Sequence, residues 1–145
     1  MPLSPQSSRD KFDILRGWPK GGAVEKELIP KAGVELVEGD LVEMLTDGTV
    51  DKVTLASGDD KVVFCIVEGN KECDSYSGHY LGKCVGIAGD YEVISTKFAA
   101  GAYTPGVNVT VIAGQWDLIT AGEPVMGMVT AYDSVAGTLT VLATK

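Results

Sequence analysis

The stretch GVELVEGDLVEMLTDGTVDKVTL, residues 33–55, decides the fold. Apolar and polar residues alternate along it in short runs, and glycine-containing turns at 38–40 and 47–48 separate these runs. Alternation with a period of two is typical of strands that are buried on one face, and Asp-Gly pairs are typical of tight turns. The stretch therefore predicts three short strands in succession, the first of them over residues 33–37.

Short apolar runs and glycine-containing turns continue to the end of the chain. The run over residues 62–67 is continuously apolar, as in a fully buried strand, and Gly89-Asp90 predicts a hairpin between two strands. Helical periodicity is absent apart from one turn near residues 8–15. About ten short strands, with turn signals every ~8–12 residues, predict an all-β fold. We expect a compact β-barrel or β-sandwich over residues 24–145.

Two stretches, one in each half of the chain, read alike. Each has a glycine entry, a short rise to a turn glycine, an alternating strand, a tight turn, a short strand, a loop and a buried strand. The entry glycines, Gly33 and Gly101, are 68 residues apart. The turn glycines, Gly39 and Gly106, are 67 apart. The near-constant spacing predicts two pseudo-repeated halves that close on each other, because one such unit alone would expose too much apolar edge.

The N-terminal segment differs in composition from the rest of the chain. Residues 1–31 hold four of the six prolines, a serine-rich start and a Gly-Gly pair, and such a composition does not build a core by itself. We therefore predict an extended arm over residues 1–23. Large apolar residues in an arm need a partner surface, so we predict that it binds protein through Phe12, Ile14, Leu15 and Trp18. The alternative is that Trp18 folds back on its own barrel.

The charge balance excludes several classes of partner. The formal net charge is -8, from 20 acidic and 12 basic residues without a basic stripe, so we expect no nucleic-acid binding.

No apolar run approaches the roughly 20 residues that span a bilayer, so we expect no membrane segment. The N-terminal residues lack the apolar core of a signal peptide, so we expect synthesis in a reducing cytoplasm with free thiols.

Residues that could carry catalysis are few. His79 is the only histidine, and Cys73 and Cys84 flank it. Together with Cys65 they form the candidate set for zinc or for a cysteine nucleophile with a histidine base. The cysteines lack the close pairing that structural zinc sites use, and Cys65 and Cys84 stand in apolar runs. We predict no catalytic residue, no metal, no cofactor and no enzymatic activity.

Acidic side chains recur along one strand region, at Glu35, Glu38, Asp40 and Glu43. A pair of carboxylates would suit a glycosidase. We favour a solvated strand face instead, because antiparallel sheets commonly carry such residues on the side that faces water.

Several short stretches resemble one known family. They cover most of the chain from Gly17 onward and consist of loose turns centred on glycine. The stretches are RGWPKG (16–21), VEGDLV (37–42), FCIVEGN (64–70), YLGK (80–83), TKF (96–98), YTPG (103–106), GMVTAYD (127–133) and GTLTVL (137–142). In them the chain resembles the small capsid decoration proteins (cement, or head-stabilising, proteins) that tailed bacteriophages encode beside the major capsid protein.

The resemblance implies a virion structural protein that is made in the host cytoplasm and binds the capsid exterior. Its partner would be the major capsid protein, whose neighbouring copies it would cement as a homo-oligomer, with a trimer favoured over a dimer. An alternative is a receptor- or glycan-binding head-fibre module, in which Tyr76, Tyr80 and Tyr103 would stack on sugars. A third reading is a small hydrolase that uses His79 as its base.

Overall fold

The computed structural model describes residues 13–16, 23–70 and 82–144, and these residues confirm the all-β class. Their ten strands are β1 (Asp13–Arg16), β2 (Ala23–Pro30), β3 (Leu41–Met44), β4 (Thr49–Lys52), β5 (Phe64–Glu68), β6 (Cys84–Ser95), β7 (Asn108–Ile112), β8 (Gln115–Leu118), β9 (Gly127–Asp133) and β10 (Thr138–Thr144).

The strands form two units that share β6: a first unit over residues 23–89 and a second unit over residues 90–144. The hairpin predicted at Gly89-Asp90 is wrong, because β6 continues through it, with Gly89 paired to β2 and Asp90 paired to β10. Gly89 has a φ of 104°, which a residue with a side chain rarely adopts. The turn-like signal therefore marks the point where one strand passes between the units.

The first unit is a closed five-stranded barrel in the order β2-β4-β3-β5-β6. Strand β2 lies parallel to β4 at Ile29, and the remaining neighbours are antiparallel. Strand β6 then returns to β2, with Cys84 opposite Leu28. Closure of the ring places alternate side chains of every strand in one interior.

The second unit repeats this strand order as β6-β10-β9-β7-β8. A parallel bridge between Phe98 and Trp116 brings the segment after β6 back to β8. There the Ala99 N–H donates to the Trp116 carbonyl (2.9 Å). At the equivalent place in the first unit, the Lys31 N–H donates to the Val50 carbonyl (2.9 Å).

The strand registers of the two units match, as the predicted repeat requires. Leu41 of β3 lies opposite Cys65 of β5, and the equivalent Asn108 of β7 lies opposite Met128 of β9. A one-residue bulge interrupts the next ladder of each unit at the same place, β5–β6 in the first and β9–β10 in the second. The two units are therefore copies of one strand plan.

One predicted strand is wrong: residues 33–37 form no strand in the described part of the chain. The Leu36 N–H donates to Asn70 Oδ1 (3.1 Å), and the Val37 N–H donates to Asp40 Oδ2 (2.8 Å). Leu36 is nevertheless fully buried. The alternating pattern here reflects burial of a loop whose amides bind side chains instead of a neighbouring strand.

Inward-facing side chains fill each ring, and those at equivalent positions are all buried. In the first unit they are aliphatic apart from one thiol: Leu28, Leu36, Val42, Val50, Ile66 and Cys84. In the second unit they include two large aromatic residues: Ser95, Tyr103, Val109, Trp116, Val129 and Leu139.

The outer wall of the first unit packs against the interior of the second. Leu41, Cys65 and Ile87 point away from the first interior and belong to the apolar cluster that fills the second unit. The Leu41 N–H also donates to the Gly114 carbonyl in the β7–β8 turn (2.9 Å). The two units thus form one body with a continuous core.

Part of the predicted arm, residues 1–23, is a strand. β1 adds to β6 in antiparallel fashion, with Ile14 opposite Val93, and β2 begins at Ala23. The other arm residues lie outside the described residues. In the described ranges, no helix is long and apolar enough to cross a bilayer.

Candidate partner-binding surface

The two described cysteines are core residues. Both thiols are fully buried, and burial raises the pKa of Cys65 to about 12 and that of Cys84 to about 11. The Cys65 thiol also shares a hydrogen bond with the Tyr91 hydroxyl. Because the thiolate is the nucleophilic form, these thiols are unreactive at neutral pH while the protein is folded.

Some of the described acidic side chains accept hydrogen bonds from backbone N–H groups in turns. Asp40 is buried, so the predicted solvated face is wrong for this residue. It accepts the Val37 N–H, and its Oδ1 lies 4.0 Å from the Lys97 Nζ. Asp59 accepts the Ala56 N–H at 2.7 Å. Among the described residues, no group of three or more His, Cys, Asp or Glu could hold a metal ion.

The glycan-binding and hydrolase hypotheses depend on a few named residues. One of these is buried, and the others lie outside the described residues. Tyr103 is buried in the second unit and its hydroxyl donates to the Ala99 carbonyl (2.7 Å), so it cannot stack on a sugar. Cys73, Tyr76, His79 and Tyr80 lie outside the described residues.

Of the four predicted arm contacts, two lie within the described residues and two lie outside them. Ile14 and Leu15 lie in β1, at the edge of the second unit's sheet beside β6. Phe12 and Trp18 lie outside the described residues. The structure therefore places the middle of the arm beside β6 and leaves its role in partner binding a prediction.

A row of side chains crosses the outer wall of the second unit, and sequence reasoning missed it. Asn108, Met128 and Leu142 lie opposite one another on β7, β9 and β10, and we call them the exposed row. Met128 is 36% exposed and Leu142 is 38% exposed. The equivalent positions of the first unit are Leu41, Cys65 and Ile87, all of them buried. Aligning the predicted repeats residue by residue would have paired Met128 with Cys65 and Leu142 with Ile87, but not shown which of the two sets is covered.

Apolar side chains also meet solvent at one end of the first unit. Met44 and Phe64 continue the inward faces of β3 and β5, and with Val62 they line an open cavity of about 440 Å³, which we call the mouth. Lys61 and Glu43 form an ion pair at its rim (3.0 Å). The hydrogen bond and the charge of Glu43 raise the pKa of Lys61.

Comparison with known proteins identifies no relative. No protein-family model, no curated protein and no solved structure matches the chain.

Proposed function

We propose that the protein is a non-enzymatic structural module that binds other protein, and specifically that it decorates the exterior of a tailed-phage capsid. Its partners are the major capsid protein and further copies of itself, in a trimer or a dimer. The protein is made in the host cytoplasm and ends in the virion.

One observation carries the proposal: large apolar side chains are exposed on two separate surfaces of a rigid β body. Met128 and Leu142 are cross-strand neighbours on one surface, and Met44 and Val62 line the other. Apolar side chains clustered on an exposed surface mark sites of contact with other protein. The short stretches that resemble capsid decoration proteins supply the finer assignment.

The N-terminal arm provides a third point of attachment. β1 already adds to the edge of a sheet beside β6. Aromatic anchors such as Trp18 commonly dominate the energy of an interface. Many copies on a symmetric shell act together, so modest single contacts suffice for stable cementing.

Co-sedimentation with empty expanded capsids tests the proposal. Removal of residues 1–12 spares β1, and the Trp18→Ala substitution removes the aromatic anchor. We expect each change to lower capsid affinity by about tenfold or more, because loss of an interface anchor typically costs at least that. The control is Val135→Ala, in an exposed turn of the β9–β10 hairpin.

The outcomes separate two ideas. Full occupancy by both arm variants removes the arm as the anchor. Failure of the unaltered chain to bind capsids, while it remains folded by circular dichroism, contradicts decoration itself.

A further inference from the structure

The mouth of the first unit has a counterpart in the second unit, and that counterpart is covered. Val111 is equivalent to Met44, and Tyr91 is equivalent to Val24. Val111 is fully buried and Tyr91 is 2% exposed, because the outer wall of the first unit lies over them. In the first unit, by contrast, Met44 of the mouth is 44% exposed, and Val24, on the same inward face of β2 as Leu28, is 61% exposed.

The exposed row is the counterpart of the wall that does the covering. Met128 is equivalent to Cys65, which hydrogen-bonds Tyr91, and Leu142 is equivalent to Ile87. Met128 and Leu142 remain apolar although they face water, where strands usually carry polar residues. The chain therefore presents both halves of its own internal contact, a wall at one end and an uncovered mouth at the other.

We propose that the exposed row of one copy packs into the mouth of a second copy and so repeats between chains the contact that joins the two units within one chain. The inference rests on the internal repeat and deepens the proposed function by assigning the surface of self-association. Because the two surfaces differ, the contact is heterologous, and successive copies close into a ring or extend as a chain.

The contact between copies is weaker than the contact within the chain. Asn108 stands where the internal wall has Leu41. The Ala121 N–H already donates to Glu123 Oε1 (3.0 Å), whereas the equivalent Leu55 N–H donates across the internal contact to the Val111 carbonyl (2.9 Å). Self-association is therefore reversible and depends on protein concentration.

Size-exclusion chromatography with light scattering measures this association. We expect the full chain to exceed the mass of one copy as its concentration rises. Leu142→Asp alters the row and Met44→Asp alters the mouth. Each should raise the dissociation constant by at least about tenfold, because a carboxylate would be buried without a partner. Val135→Asp, a fully exposed turn substitution, is the control and should associate like the unaltered chain.

Mixing the two variants gives the sharper test. The Met44→Asp chain keeps its row and the Leu142→Asp chain keeps its mouth, so their mixture should form a complex of two chains that grows no further. A chain that stays monomeric at every concentration overturns the proposal, and so does a mixture of the two variants that fails to pair. Capsid binding by a monomeric chain would overturn the self-association and leave decoration standing, whereas an oligomer that binds no capsid would do the reverse.

Discussion

The two units follow the same strand plan but fill it with different side chains. At one pair of diagonally adjacent interior positions on neighbouring strands, the first unit has Phe64 and Gly86, and the second has Gly127 and Val141. A Cβ on Gly86 would lie 3.2 Å from the Phe64 Cβ, and a Cβ on Gly127 would lie 2.7 Å from the Val141 Cγ1. Large and small residues have exchanged places, so the strand pattern and the turns set this fold while the packing adjusts within it.

The same strand wall has opposite environments in the two units. In the first unit it is covered by the second unit, at Cys65 and Ile87, and in the second unit it is exposed, at Met128 and Leu142. The contrast shows that burial here depends on which end of the chain a unit occupies, not on its own fold. The proposed contact between copies would account for the apolar residues at the positions that face water.

The largest expected effect comes from introducing an aspartate at two equivalent positions, Ile87 in the first unit and Leu142 in the second. Ile87→Asp should lower the free energy of unfolding by about 4 kcal/mol or more, because it buries an unpaired carboxylate. Leu142→Asp should lower it by only about 1–2 kcal/mol, since this side chain is 38% exposed and the new carboxylate stays hydrated, although it lies opposite Glu92. Urea unfolding at a concentration where the chain is monomeric measures both. Equal losses would mean that the two rows do not differ in burial.

A smaller effect concerns the thiol in the buried row. Burial raises the pKa of Cys65 from 9.0 to about 12, so in alkaline solution the unfolded chain loses this proton first. Stability is therefore full below pH 9.0 and falls as the pH rises towards 12, by up to about 1.4 kcal/mol per pH unit for one such thiol. Unfolding of the parent and of Cys65→Ala at pH 8, 9 and 10 measures the slope. An unchanged slope in the variant would assign the alkaline loss to other groups.

Much of the fold could be predicted from the sequence because its strands and turns depend on local residue patterns. Glycine spacing and alternation predicted the all-β class and the repeat, and Gly39 and Gly106 indeed occupy equivalent turns with φ near 90°. The pattern failed at Gly89, where a turn residue serves a strand that passes between units. It also failed over residues 33–37, where side chains replace a neighbouring strand.

The candidate surface was harder to predict for a physical reason. Met128 and Leu142 have the composition of ordinary half-buried strand residues, and only the packing of one unit on the other decides which wall is covered. The predicted arm of residues 1–23 stays a prediction in its binding role, although its middle proved to be β1. Long-range packing, unlike alternation, leaves no local signal.

A cross-link between copies tests the central claim most directly. Within the chain Cys65 meets Tyr91, so the equivalent contact between copies joins Met128 of one to Val24 of the next. We expect a bismaleimide cross-linker, which bridges the space that the tyrosine side chain fills in the internal contact, to join Val24→Cys and Met128→Cys chains into a dimer whose linked peptides contain residues 24 and 128. A mixture of Val135→Cys and Met128→Cys chains should not link. Absence of the 24–128 link at concentrations where the chain is oligomeric would contradict the claim that the units stack alike within and between chains.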